Sequence, residues 1–141
     1  MDISFNFLTT TTLPSRRRLR AFISTIFVQE GMRLASLSFV FCTDKYLLEI
    51  NRTYLEHDHY TDIITFDLTE AGAKTISGEV YLSVERIRAN AQEFGVTLQQ
   101  ELHRVMFHGI LHLCGYADKS PKEKVVMTNK ENLYLSAYGL L

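Results

Sequence analysis

The chain has 141 residues, 46% of them hydrophobic and 22% charged, with 7 Gly and 2 Pro. This composition excludes disordered, collagen-like and low-complexity classes and predicts a single domain over residues 1–141. Lys and Arg number 15 against 16 Asp and Glu, and the net charge of −1 excludes a general basic coat for nucleic acid while allowing a local basic patch.

Two cysteines form no disulfide framework and point to a reducing compartment. The N-terminus carries Asp2 and no basic stretch, so it does not read as a secretory signal. No run approaches the ~18 apolar residues of a membrane span. A soluble, cytoplasmic protein with no membrane partner is expected.

Ile3, Phe5 and Phe7 alternate with polar residues, which predicts a strand with one face on a core. Pro14 suits the first turn of a helix, and Leu19, Phe22, Ile23, Ile26 and Phe27 follow at helical spacing up to Gly31. A second strand is expected over Ser36–Cys42, with Leu37, Phe39 and Phe41 on one face. Asp44 reads as the N-cap of a short helix carrying Leu47, Leu48, Asn51 and Leu55. The polar loop Glu56–Tyr60 follows, and a strand is expected over Thr61–Leu68. Another over Gly78–Ser83 runs directly into a helix over Val84–Phe94, which Gly95 ends. Thr97 and Gln100 form a capping box for a helix reaching about Cys114, with Gly115 as its left-handed cap. Ser120, Pro121 and Glu123 open the last helix in the same way. The expected architecture is an α+β fold, mixed α/β in order. It has one small four-stranded sheet and about five helices, with a metal site on a central helix.

That site is read from His108 to Asp118. His108 and His112 are four apart on one helix and differ by about 40° around it, so both imidazoles leave the same face. Gly115 lets the chain turn back, and Asp118 falls where it can supply a third ligand. The spacing H-x-x-x-H-x-x-G-x-x-D matches the metzincin zinc motif with two changes. Gly109 replaces the general-base Glu, which removes the usual proton acceptor of peptide hydrolysis. Asp118 replaces the third His; a carboxylate still suits Zn²⁺ but neutralises one more unit of its charge. The surrounding Val105, Met106, Phe107, Ile110, Leu111 and Leu113 predict a buried helix, in which two unpartnered imidazoles would cost roughly 1–3 kcal/mol each. One Zn²⁺ ion, or another transition metal, answers that need.

The same segment, H-G-I-L-H-L-C-G-Y-A-D followed by Met127 and Glu131, resembles the YbeY-type family of bacterial metal-dependent endoribonucleases. The resemblance extends upstream through Glu49–Tyr54, Thr61–Phe66 and Gly78–Ser83, so it spans roughly Leu47 to Glu131. In the family's pattern an Asp stands at Ala117 and a third His at Asp118. The resemblance implies an endoribonuclease of ribosomal RNA maturation, acting at the 16S rRNA 3′ end and in ribosome quality control. Its ligands would be His108, His112 and Asp118, its active-site arginine Arg52, and its partners precursor ribosomal RNA and the ribosome or its proteins. The alternatives are a metzincin-like metalloprotease, which Gly109 opposes, and a non-catalytic, ribosome-associated metal-binding protein.

Four groups have two readings each. Arg52 is either a solvated helix residue or a guanidinium facing a phosphate. His57 and His59 are either solvated loop residues or contacts for RNA at the rim of the site. The run Arg16-Arg17-Arg18 with Arg20 is either a solvated helix face or a phosphate-contacting patch. Met127 lies either beneath the metal or, the safer reading, in the packing. Cys42 and Cys114 are expected in the core, the latter turned away from the histidines around its helix, and His103 at the surface.

Overall fold

A computed structural model describes residues 2–141. Its elements are β1 (Asp2–Phe7), α1 (Arg16–Gln29), β2 (Leu34–Cys42), α2 (Asp44–Leu55) and β3 (Ile63–Asp67). They continue with β4 (Ile76–Ser83), α3 (Val84–Phe94), α4 (Leu98–Leu113) and α5 (Pro121–Tyr138). The element order and the α+β class are those expected. The strands form one sheet in the order β1-β2-β4-β3, in which β1 and β4 run parallel to β2 and β3 runs antiparallel to β4.

The alternation in β2 describes only half of its burial. Leu37, Phe39 and Phe41 enter the main core with Val80, Leu82 and the helices α1 and α4. Val40 and Cys42 are buried as well, and Cys42 packs with Leu47 of α2 and Ile64 of β3 in a smaller core. A parallel strand at the centre of a sheet is covered on both faces, so its sequence loses the clean alternation.

Several local boundaries differ from the sequence reading. Pro14 precedes α1, whose N-cap is Ser15 in a left-handed conformation with φ 55°. Thr43, not Asp44, caps α2. Its extended backbone lets the hydroxyl accept from Tyr46 N at 3.1 Å. Asp44 is the first helical residue and pairs with Arg86 of α3 at 2.8 Å. Strand β3 ends at Asp67, whose carboxylate accepts from Thr69 N at 3.0 Å in an Asx turn, and Leu68 lies exposed beyond it. The left-handed Gly95 and Gly115 and the reciprocal capping box of Ser120 and Glu123 are as expected, whereas at Thr97 only its hydroxyl's bond from Gln100 N forms and the expected return bond to the Gln100 side chain does not.

Helix α4 is the central element, packed against α3, α5, β3 and β4. Leu102, Met106, Phe107, Ile110 and Leu111 on it are fully buried. His103, expected at the surface, is 1% exposed. The C-terminal helix α5 covers it: its ring stacks on Tyr138 at 5.5 Å, and its Nδ1 lies 2.7 Å from Gln99 O. Burial lowers its pKa. The two cysteines are buried, as expected, and burial pushes both thiols up to about 12.

The arginine run at the start of α1 is exposed, and three of its four members also have partners within the fold. The guanidinium groups of Arg16, Arg18 and Arg20 sit over the rings of Phe7, Tyr138 and Phe5 at 4.5, 4.1 and 4.9 Å. Each also donates to a backbone carbonyl, of Leu13, Tyr138 and Ile3 respectively. Two of them brace edge strand β1, which is the opposite edge of the sheet from β3.

Candidate metal centre

Where α4 meets β3 and the loop after α2, a cleft of about 540 Å³ opens. His108, His112 and Asp118 line it, and their ligand atoms converge. The two Nε2 atoms are 2.9 Å apart, and Asp118 Oδ2 lies 3.1 Å from that of His108 and 3.4 Å from that of His112. Helical periodicity aligns the two imidazoles, and Gly115 at φ 102° turns the chain so that Asp118 returns to them.

Second partners orient both rings. His112 Nδ1 lies 2.8 Å from the carbonyl of Tyr116, which can only accept, so the proton sits on Nδ1. His108 Nδ1 lies 2.6 Å from Glu131 Oε2. With protons held at Nδ1, both Nε2 lone pairs and a carboxylate oxygen point at one another. Such a convergence of acceptors is stable only with a cation among them, either a proton or a metal ion. Two imidazole nitrogens and a carboxylate oxygen, backed by a carboxylate and a carbonyl, form a donor set that zinc and other transition metals accept. The residues therefore fit a metal ion, and three protein ligands leave room for a substrate atom.

Burial disfavours the charged form of His108, but the hydrogen bond and charge of Glu131, with Asp118 and Asp62, raise its pKa overall. Glu131 itself is held by Arg104 at 3.1 Å, and Arg104 also donates to Asn132 at 2.8 Å. Behind Tyr116 lies a second support. Glu30, at the end of α1, accepts from Tyr116 Oη at 2.6 Å, from Lys130 at 3.1 Å and from Tyr134. It ties the turn that carries the Tyr116 carbonyl to α1 and α5.

Gly109, between the two histidines, is a packing residue. A Cβ there would stand 3.0 Å from Val80 Cγ1, 3.1 Å from Ile63 Cδ1 and 3.2 Å from Thr65 Oγ1. The glycine lets α4 lie close on β3 and β4, and a glutamate in its place would be driven into the sheet. That geometry opposes the metalloprotease reading independently of the missing base.

A side cavity continues behind His108 and Asp118, lined by Asp62, Glu101, Arg104 and Glu131. Glu101 is 5% exposed, and burial pushes its carboxyl up to about 7 against the pull of Arg104. Burial raises the Asp62 carboxyl as well. Met127 is buried in the main core, in line with the packing reading.

Arg52 is not brought to the three ligands in this way. It lies on α2 with its side chain 46% exposed, its Nε 2.5 Å from Asp58 Oδ1 and its Nη1 3.2 Å from Glu49 Oε1. Neither Arg52 nor Asp58 is among the residues that line the cleft, whereas Leu55, His57 and His59 are. Glu131, Glu101 and the Tyr116 carbonyl had no assigned role in the sequence reading. Glu131 does carry a signal: it interrupts the helical stripe Met127, Tyr134, Leu135 and Tyr138, all buried in α5.

The family model described as Endoribonuclease YbeY matches residues 8–139. A Cytophaga hutchinsonii protein of that name is 47% identical over 124 residues, 88% of this chain and 86% of its own length. One from Flavobacterium psychrophilum is 40% identical over 136 residues, 96% of either chain. The solution structure of a Thermotoga maritima protein is similar with a TM-score of 0.66 at 27% identity, covering 96% of this chain and 87% of that one.

Proposed function

The chain belongs to the YbeY family of endoribonucleases, and from that premise we propose a metal-dependent cleavage of precursor ribosomal RNA by this domain, spanning residues 1–141. The substrate is the 3′ end of 16S rRNA, presented on the ribosome in the cytoplasm, and the activity also serves ribosome quality control. Among the described residues no helix is long and apolar enough to cross a membrane. One observation carries the reading: three donor atoms converge in an open cleft, with the imidazole protons held on the far side.

His108, His112 and Asp118 would hold the ion, Zn²⁺ by preference for nitrogen and carboxylate donors, or another transition metal. When bound, the ion supplies Lewis-acid stabilisation of the charge that builds on the phosphate oxygens. Glu131 keeps the His108 lone pair aimed inward and compensates positive charge on that ring, and the Tyr116 carbonyl does the former for His112. Arg52 acts from the rim. Its Nε and Nη1 hold Asp58 and Glu49, which steadies the loop after α2, and its half-exposed guanidinium stands where it can face a phosphate.

The test is cleavage of a 16S precursor 3′ segment by wild type and by His112→Ala under defined metal supply. Trimming by the wild type that a chelator stops and Zn²⁺ or Mn²⁺ restores, and that the variant lacks, is expected. Cleavage by the variant at the wild-type rate would overturn the reading. A casein digest should stay intact.

A further inference from the structure

The cleft has a charge problem. Its lining includes the carboxylates of Asp62, Asp67 and Asp118, and among the described residues that line it there is no Lys or Arg. An RNA strand entering brings one negative phosphate per nucleotide. None of the basic run on α1 lines the cleft, and Arg16, Arg18 and Arg20 of that run meet rings and carbonyls, Arg16 and Arg20 at the opposite sheet edge. Apart from the ligand histidines, only two lining side chains carry an N–H able to meet a phosphate on an aromatic face able to meet a base: His57 and His59.

These two are built into position rather than left on a free loop. Their rings stack on one another with centroids 5.3 Å apart and planes 26° apart, and both remain exposed. Asn51, 2% exposed on α2, donates from Nδ2 to the His59 carbonyl at 2.9 Å, and His57 N donates to the Asn51 carbonyl at 3.1 Å. Glu56 takes a left-handed φ of 56° to start the reversal. Between the two histidines, Asp58 is drawn to Arg52 and lies outside the cleft lining, so a further carboxylate is kept from the strand's path.

We propose that the stacked His57–His59 pair is the wall of the cleft that binds single-stranded RNA. A base lies on an outer imidazole face, and the neighbouring phosphate accepts a ring N–H. The occupant is single-stranded because a paired A-form helix keeps its base faces covered. The proposal rests on the endoribonuclease reading and assigns the substrate contacts of that same site.

The test compares wild type with His57→Ala, His59→Ala and the double variant. The probe is a labelled 2′-O-methyl single-stranded oligonucleotide, which removes the 2′-hydroxyl as a nucleophile and whose intactness is checked on a gel, followed by fluorescence anisotropy. The double variant is expected to bind about tenfold more weakly or worse, the scale of losing one base stack. Its bound metal and melting temperature should match wild type, and on cleavable RNA the loss should appear in KM rather than kcat. Phe variants that keep affinity assign the contact to stacking, and Gln variants that keep it assign it to N–H donation; either supports the wall. A double alanine variant that binds the oligonucleotide with the wild-type Kd overturns it. If that variant also cleaves RNA normally, the wall alone falls. If wild type neither binds nor cleaves RNA, the endoribonuclease reading falls with it.

Discussion

Two histidine pairs face one cleft and differ in what holds them. His108 and His112 stand on a rigid, buried helix, and each ring is fixed by a second group, Glu131 or the Tyr116 carbonyl. His57 and His59 stand on an exposed loop, held by backbone contacts to Asn51 and by each other. The inner pair is arranged so that two lone pairs have nowhere else to point, which suits a metal ion. The outer pair presents faces and N–H groups to solvent, which suits a substrate that must come and go. Preorganisation is concentrated where the chemistry needs a fixed charge and relaxed where a strand must enter.

Substitutions should separate the two halves. The largest effect belongs to the inner ligands. His108→Ala or His112→Ala should lower RNA cleavage by about a thousandfold or more, on the scale of losing a preorganised electrostatic stabiliser. Their unchanged far-ultraviolet circular dichroism would show that the fold survives. Next comes the support behind them. Glu131→Gln should weaken metal affinity by about 10–100-fold, read by competition with a chromogenic chelator. If metal binding were unaffected, the inner half would not depend on its second partner.

Glu101 tests the electrostatics of the inner wall. Its carboxyl is raised to about 7 from an ordinary 4.5, so the folded state holds its proton longer than the unfolded one does. Stability is therefore lost as pH rises from about 4.5 to about 7, by up to about 3 kcal/mol. Glu101→Gln should be more stable than wild type at pH 8 and close to it at pH 4, measured by urea denaturation. An equal difference at both pH values would contradict the charge-based cause.

Gly109→Ala should destabilise by about 1–3 kcal/mol, because its Cβ would press on Val80, Ile63 and Thr65. The loss should appear in the urea midpoint. The smallest effect is expected from the outer half. Arg52→Ala should reduce kcat/KM a few-fold without changing bound metal, because it releases Asp58 towards the cleft rather than removing a metal ligand. A loss as large as that of His112→Ala would move Arg52 to the inner half.

The element order and the convergence of His108, His112 and Asp118 were legible because they depend on local periodicity. Two histidines four apart need only a helix, and Asp118 needs only the turn at Gly115. His103 was misplaced because its angle from His108 says nothing of α5, which packs on that side from more than twenty residues away. Glu131 was visible as a polar break in an apolar stripe, but its partner lies 23 positions back. The arginine run is exposed, as a solvated face would be, but the ring faces from β1 and α5 that meet Arg16, Arg18 and Arg20 come together only in the folded chain. His57 and His59 were left open between solvent and site rim. The cleft they line exists only where α4, β3 and the loop after α2 come together.

The central claim is that His108, His112 and Asp118 together hold the metal ion on which RNA cleavage depends. It is tested most directly by measuring bound metal and RNA cleavage in parallel for wild type and Asp118→Ala, both purified without chelators. The predicted result is close to one equivalent and active cleavage in the wild type, with both lost together in the variant. Undiminished cleavage by protein that retains no metal would contradict it.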